Sequence, residues 1–434
     1  MKLVILGGGF GGLKLARALS GKKDLEVLLI DRFNYHQFQP LFYQVATAGL
    51  DASNISFPLR KVFQNIKNFR YCMAEVEQIF PEKKVVLTNE GKFEYDKLVI
   101  ATGAGTNFFG NRQMELNAFR MKSTPEALQI RHRLLRNFED AAKTKDAFRR
   151  KRLLTVVIVG GGPTGVELSG AIADMKRFVL PKDYPEIDFA EMKVYLVEGM
   201  GRLLNGMSEK SSADALRYLQ ELGVNVLLNC IVKEYNGDTV ILNNETSLET
   251  NMVIWAAGIK GNVPAGMDSK TLVRGNRIKV DRYNRIEGLK DVYAIGDIAY
   301  MEEPSWPNGH PQVAPVAIQQ AQMLAQNLLA IKNGKAEKPF SYRDKGVMAT
   351  VGRNLAVVDI PKPKLHLKGF FAWIIWMSLH LMLILGVKNR FFVFWNWVYN
   401  YFTKDQNLRL IFNEFYRDAE KKEAPVETTI QPVH

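Results

Sequence analysis

Apolar residues along the chain cluster in short unbroken runs separated by longer segments of helical period. KLVIL (2–6), EVLLID (26–31), KLVIATG (97–103), VVIVGGG (156–162), MVIWAAG (252–258) and VYAIGD (292–297) lack the alternation of a half-exposed strand. Such runs predict strands buried on both faces. CMAEVEQI (72–79) does alternate and predicts a strand at a sheet edge, with Val76 in it. Helical spacing predicts helices over 10–19, 123–152, 208–222 (stopping at Gly223) and 314–333. Strands alternating with helices predict an α/β fold.

Two strand–helix junctions repeat one another. LVILGGGFGGLKLA opens the chain, and VVIVGGGPTGVELSG recurs at 156–170. Each carries G-x-G-x-x-G: Gly7, Gly9 and Gly12, then Gly160, Gly162 and Gly165. The first glycine allows a tight turn, the second lets backbone N–H groups approach a pyrophosphate, and the third lets helix and sheet pack closely. The phosphate then meets the positive end of the helix. Each unit continues into a strand ending in an acid, Asp31 in the first and Glu198 in the second, where a ribose hydroxyl is normally held. A single copy is compatible with an ordinary βα turn. Two complete copies predict two Rossmann-like dinucleotide-binding domains, and two dinucleotides imply electron transfer between them. The chain therefore reads as a flavoprotein reducing something with NAD(P)H.

MVIWAAG echoes KLVIATG, which supports two similar domains, the second inserted into the first. Both runs end in small-residue turns, at Gly103 and Gly258, where backbone can approach a cofactor. Gly296-Asp297 closes another strand; a carboxylate there can accept ribityl hydroxyls. Gln319 and Gln320 follow that element and read either as surface amides or as a border of the flavin. RFNYHQFQPLFYQVATAGL (32–50), rich in aromatics and amides, reads either as a packed loop or as a wall beside an isoalloxazine ring.

Composition narrows the partners. The 434 residues carry a formal charge of +13, which suits an anionic partner. No nucleic-acid module is visible, so an anionic membrane surface is preferred. Cys72 and Cys230 stand alone, without C-x-x-C, metal cluster or disulfide framework. The first strand begins at residue 2, so no cleaved leader is expected.

Residues 369–387, GFFAWIIWMSLHLMLILGV, contain no charge, and 361–404 contain no Asp or Glu. Trp373, Trp376, Trp395 and Trp397 suit a lipid headgroup interface, and Lys362, Lys364, Lys368, Lys388, Arg390 and Lys404 suit anionic lipid. An interfacial anchor is the expectation, ahead of a single spanning helix and a helix buried in a homodimer. After Asp418 the polar composition predicts a disordered tail.

LVILGGGFGGLKLA, NYHQFQPLFYQVATAGL, VVIVGGGPTGVELSGAI, VYAIGD and APVAIQ together resemble the type II NADH:quinone oxidoreductases, single-subunit dehydrogenases that pump no protons. The resemblance covers roughly residues 1–411. It implies a disulfide-reductase-like two-dinucleotide fold with FAD on the first unit, NADH on the second, and a peripheral membrane location. It implies that Gly7, Gly8, Gly9, Phe10, Gly11 and Gly12, with Asp31 and Arg32, hold FAD. Val76 would offer backbone to the adenine, and Gly296-Asp297 would take the ribityl side. On the NADH side it implies Gly160, Gly162, Gly165, Glu198 and Gly258. Glu167 matches the family carboxylate near nicotinamide and flavin. The family's quinone pattern A-Q-x-A-x-Q reads here as Ala314-Pro315-Val316-Ala317-Ile318-Gln319, with Ala314 and Pro315 against FAD and Gln319 retained. Pro315 stands in place of the first glutamine, which removes that amide.

The resulting expectation is FAD-dependent oxidation of NADH with two-electron reduction of a membrane quinone, ubiquinone or menaquinone. The site is the cytoplasmic side of the cell inner membrane, with no metal. The FAD domain is expected at 1–120 and 263–360, the NADH domain at 121–262, and a membrane-anchoring region with its tail at 361–434. A redox-sensing flavoprotein is the rival of another class. A sulfide:quinone oxidoreductase is the enzymatic rival, but it needs paired cysteines at the flavin.

Overall fold

The computed structural model describes residues 1–412; the polar tail after Asp418 lies outside the described residues. Two five-stranded sheets share one plan. The first runs Val292–Ala294, Lys97–Ile100, Lys2–Leu6, Glu26–Asp31, Phe69–Met73. The second runs Phe119–Arg120, Val253–Trp255, Thr155–Val159, Lys193–Glu198, Asn225–Leu228. All pairings in both are parallel. In each, the strand before the glycine turn is central, and its residues Leu3–Leu6 and Val156–Ile158 are at most 1% exposed. Unbroken apolar runs arise because helices cover both faces.

A three-stranded antiparallel meander occupies the same place in both units. It is Val76–Phe80, Val85–Thr88, Gly91–Glu94 in the first and Val232–Tyr235, Thr239–Leu242, Ser247–Glu249 in the second. Even the register shift at the start recurs, at Val76/Gln78 and at Val232/Glu234. The chain leaves and re-enters the first unit side by side, Ala104–Thr106 pairing with Ile259–Gly261.

Two of the expected boundaries move. Phe119–Arg120 belongs to the second sheet, so the crossover precedes residue 121. Val347–Gly352 and Leu355–Ile360 pair with Leu365–Lys368, so the C-terminal unit begins before residue 361. The expected helix over 123–152 is two helices, Thr124–Lys143 and Ala147–Leu153. Asp146 separates them, its carboxylate accepting from Phe148 N and Arg149 N as an N-cap.

The C-terminal sheet docks on helix Pro163–Phe178. A Cβ on Gly170 would collide with Val351 O, so a glycine is required where helix and strand cross. A polar cluster ties the same sheet to helix Glu209–Glu221. His366 lies 3.1 Å from Asp359 Oδ1 and 3.2 Å from Asp214 Oδ2, and Lys368 Nζ lies 3.0 Å from Asp214 Oδ1.

The charge-free run folds as two helices, Gly369–Leu383 and Val387–Thr403. No described helix is long and apolar enough to cross a membrane. Gly386, at φ 81°, makes the turn between them against the Phe57 ring. Four tryptophans were expected at a headgroup interface, but Trp376 and Trp397 are buried against the body. Trp395 is exposed and Trp373 half-buried. Of the six basic residues expected to face lipid, Lys368 is paired with Asp214 and Arg390 Nε donates to Ile384 O. Lys362, Lys364, Lys388 and Lys404 are exposed.

Candidate functional site

The two glycine turns are built alike. Gly7 and Gly160 have φ of 102° and 111°, and a Cβ on either would collide with the end of the neighbouring strand, at Ala101 and at Ala256. KLVIATG and MVIWAAG are thus alike because both close on a glycine turn. A Cβ on Gly12 or Gly165 would collide with Gly7 O or Gly160 O. Around the middle positions, Gly9 and Gly162, there is open space. Each therefore presents bare backbone at a helix start, as a pyrophosphate requires.

The acids act first on the turns themselves. Asp31 accepts from Gly8 N at 2.5 Å and Phe33 N at 2.7 Å. Glu198 repeats this, accepting from Gly161 N at 2.5 Å and Met200 N at 2.7 Å. Burial raises the Asp31 carboxyl above its ordinary range, against the two backbone donors and Arg32, which lower it. Arg32 is exposed, its guanidinium 5.0 Å from the Phe33 ring centroid. Phe10 packs edge-on to His36 and Phe38 beside the first turn. A Cβ on Gly11 would touch Ile295 and Ala317 O, so the first helix also approaches the Gly-Asp element. Val76 opens the first meander. Gly258 sits under the Phe109 ring, and the residues against the second turn are Ala256 and Ala257.

Asp297 is largely enclosed by protein, its side chain still partly open. Burial raises its pKa, and the Lys122 and Arg277 charges oppose that. Gln320, 1% exposed, accepts from Gly296 N at 2.7 Å. Gln319, one residue earlier, turns to the loop beyond: its amide donates to Arg343 O at 3.0 Å and accepts from Arg343 N at 3.1 Å. The amide bordering the Gly-Asp element is thus that of Gln320. Pro315 lies in the first turn of helix Ala314–Lys332, where a missing N–H breaks no bond.

Glu167 sits one turn into helix Pro163–Phe178 and is 9% exposed. Its neighbours come from three other segments. Thr350 N, on the C-terminal sheet, donates to Glu167 Oε1 at 3.4 Å. Tyr43, on helix Phe42–Ala46, bonds Thr350 Oγ1 at 3.1 Å and accepts from Gln44 Nε2 at 2.9 Å. Trp397 Nε1 donates to Gln44 Oε1 at 2.7 Å. A cavity of about 160 Å³ joins these groups, reaching from Glu167 past Asp174 to Trp373, Met377 and Gln406. Burial drives the Glu167 pKa up to about 8 and that of Asp174 to about 6. At neutral pH Glu167 therefore holds a proton at the chamber wall, the property of a general acid.

A family model of pyridine nucleotide-disulphide oxidoreductases matches residues 1–321, and a model of the NDH2 C-terminal domain matches residues 345–404. A type II NADH:quinone oxidoreductase of Mycobacterium tuberculosis is 35% identical over 415 residues, covering 91% of this chain and 87% of that protein. The chain belongs to the type II NADH:quinone oxidoreductases. A namesake from Haemophilus influenzae is 30% identical over 88% of this chain and 92% of its own. The solved NDH2 of Plasmodium falciparum in complex with NADH superposes with a TM-score of 0.85 at 23% identity, over 95% of this chain and 99% of that one.

FAD and NADH are the cofactors of this type II oxidoreductase. The residues present fit a flavin dinucleotide: Gly9 presents bare backbone to open space at a helix start, that helix approaches the Gly296-Asp297 element, and Asp297 is a largely enclosed carboxylate. A sulfide:quinone oxidoreductase of Aquifex aeolicus shares the fold, with a TM-score of 0.71 at 20% identity. Here Cys72 lies in the first sheet and Cys230 in the second unit, and neither lines the chamber. Sequence reasoning missed Tyr43 and Thr350, assigned Trp376 to the headgroup interface, and named Gln320 only as an alternative to Gln319 beside the flavin. The amide- and aromatic-rich stretch at 32–50 was the signal for Tyr43; Thr350 and Trp376 gave none.

Proposed function

We propose that the protein oxidises NADH at the second glycine unit and reduces a membrane quinone, ubiquinone or menaquinone, in the chamber beside Glu167. The observation that carries this reading is that the NADH-side helix, the 39–50 segment and the membrane-facing helices all meet at one protonated carboxyl group. When bound, FAD supplies a two-electron store between nicotinamide and quinone. The balance is NADH + H⁺ + quinone → NAD⁺ + hydroquinone.

Each residue then has a defined task. Gly7, Gly9 and Gly12, with Asp31, Val76 and Asp297, hold FAD. Gly160, Gly162 and Gly165 take the NADH pyrophosphate, and Glu198, already holding its turn, accepts ribose hydroxyls. Glu167 supplies a proton to the quinone side, and Tyr43 and Thr350 orient it. The outer face of the two C-terminal helices rests on the cytoplasmic side of the inner membrane, so quinone enters from lipid and NADH from the cytosol.

NADH should be preferred to NADPH. The Glu198 carboxylate repels a 2′-phosphate, and a repulsion of about 1.4 kcal/mol already gives tenfold discrimination. Arg202 is engaged within its own turn, its guanidinium donating to Asn205 Oδ1 at 3.2 Å and Asn205 O at 3.1 Å. Equal kcat/KM for the two cofactors would remove Glu198 from this role.

Gln319→Ala should raise the quinone KM about 2- to 10-fold, one hydrogen bond's worth, and leave stopped-flow flavin reduction by NADH unchanged. The effect arises from the amide itself or from the Arg343 loop it holds. Slowed reduction by NADH with a normal quinone KM is the outcome that removes Gln319 from the quinone side.

A further inference from the structure

Helix Gly369–Leu383 does more than face outward. Its inner residues Ala372 and Trp376 are fully buried, and Trp376 is the largest fully buried side chain of the described residues. The indole packs behind Tyr43 and Trp397, which line the chamber. Its ring centroid lies 6.3 Å from that of Tyr43 and 6.3 Å from that of Trp397, and the His380 ring stacks on it at 3.9 Å. His380 Nδ1 bonds Trp376 O at 2.8 Å, and burial holds its imidazole neutral, with a pKa near 4.

One atom in this assembly is unaccounted for. Trp376 Nε1 is buried and meets no hydrogen-bond partner among the described residues. Buried tryptophans usually place this N–H on an acceptor, as Trp255 does on Asn107 O and Trp397 on Gln44 Oε1. The group nearest to Trp376 Nε1 in effect is Glu167, whose ionised carboxylate this N–H favours. A fixed donor thus adjoins a carboxyl group that lines the chamber. A ring carbonyl is the chemical group that both can serve, as an acceptor for the indole and a proton acceptor for the acid.

We propose that the Trp376 indole N–H donates a hydrogen bond to the quinone headgroup, making the membrane-facing helix a direct supplier of the quinone site. The acceptor carbonyl is held beside Glu167 and develops negative charge as the two electrons arrive. A donor already in place stabilises that charge without rearrangement. The remaining titratable groups facing the pair are Tyr43 from helix Phe42–Ala46, Asp174 from the Glu167 helix, Arg353 from the C-terminal sheet turn, and His380 from the same helix as Trp376. The proposal rests on the chamber being the quinone site.

Trp376→Phe keeps the aromatic packing and removes only the N–H. The variant should bind FAD and be reduced by NADH at the unmodified rate. With ubiquinone-1 as oxidant its KM should rise roughly 3- to 10-fold. The alkaline limb of flavin reoxidation should also move to higher pH, because the dipole that favours ionised Glu167 is gone; mere loss of packing leaves that limb in place. Unchanged KM and an unmoved limb overturn the proposal, as does equal slowing of both half-reactions. Should the variant fail to accumulate, ¹⁵N-indole spectra of the unmodified enzyme decide. A buried, exchange-protected indole N–H must shift when ubiquinone-1 is added, and no shift overturns the proposal. Glu167→Gln separates the two levels. If it leaves reoxidation untouched, the reading of the chamber fails. If it slows reoxidation while Trp376→Phe does not, only the Trp376 assignment fails.

Discussion

Glu167→Gln should slow reoxidation of the reduced flavin by quinone about 10²-fold or more, the usual contribution of a positioned general acid. Flavin reduction by NADH should change far less, because hydride transfer needs no proton from this group. The substitution keeps the side chain's size in its pocket against Thr350 and Tyr43, so FAD should remain bound. Burial sets the acid's pKa near 8, against the smaller opposing effects of Thr350 N and Trp376. The protonated form is therefore present below about pH 8 and lost above it. Quinone-dependent turnover should be flat through neutrality and fall as pH rises through about 8, and the glutamine variant should lack that fall.

The same shift has a sign for stability. A carboxyl whose folded pKa exceeds its unfolded value binds its proton more tightly when folded, so its contribution to stability declines as pH rises from about 4.5 towards 8. Glu167→Gln removes that decline. The difference in Tm between variant and parent should thus move in the variant's favour over this interval. A difference independent of pH contradicts a buried, protonated Glu167.

The second large effect is expected at the membrane. Phe371 and Phe402 are 77% and 78% exposed, on different C-terminal helices, so replacing them disturbs no packing in the body. Burying each in lipid is worth about 1.5–3 kcal/mol. Phe371→Glu with Phe402→Glu should therefore weaken partition to anionic vesicles by at least about 10²-fold, with FAD retained. The exposed Lys362, Lys364, Lys388 and Lys404 add about 1 kcal/mol apiece near anionic lipid. That part should weaken in 1 M salt, where the Debye length falls to about 3 Å, while the apolar part remains. Unaltered sedimentation of the double variant with vesicles contradicts an interfacial face. Removing the helices outright is a poorer test, since Trp376, Val393 and Trp397 are part of the core.

What the sequence made legible is what the backbone constrains locally. The glycine spacing, the acids at Asp31 and Glu198, and the small residues at 101 and 256 each answer to one turn and recur at fixed intervals. The constellation around Glu167 answers to long-range packing instead. Tyr43, Thr350 and Trp376 lie more than 120 residues from Glu167 in either direction, and nothing in their neighbours' spacing brings them together. Gln319 and Gln320 were equivalent as letters; one residue turns a helical side chain by about 100°, which sends one amide to Gly296 and the other to Arg343. Helix Gly369–Leu383 is apolar all round, so its pattern names no inner face, and Trp376 could be assigned to lipid only by composition. The C-terminal boundary escaped because short antiparallel strands at 347–368 carry weak alternation and no turn signal as strong as the dinucleotide glycines.

The measurement that bears most directly on the whole account is anaerobic titration of the purified protein with NADH, followed by quinone, while the flavin absorbance is recorded. One equivalent of NADH per FAD should bleach the oxidised flavin band, and one equivalent of ubiquinone-1 should restore it, with NAD⁺ and hydroquinone formed in equal amounts. Bleaching that no quinone reverses would leave a nucleotide-binding flavoprotein without the proposed acceptor. A flavin band that NADH does not bleach contradicts the account at its first step.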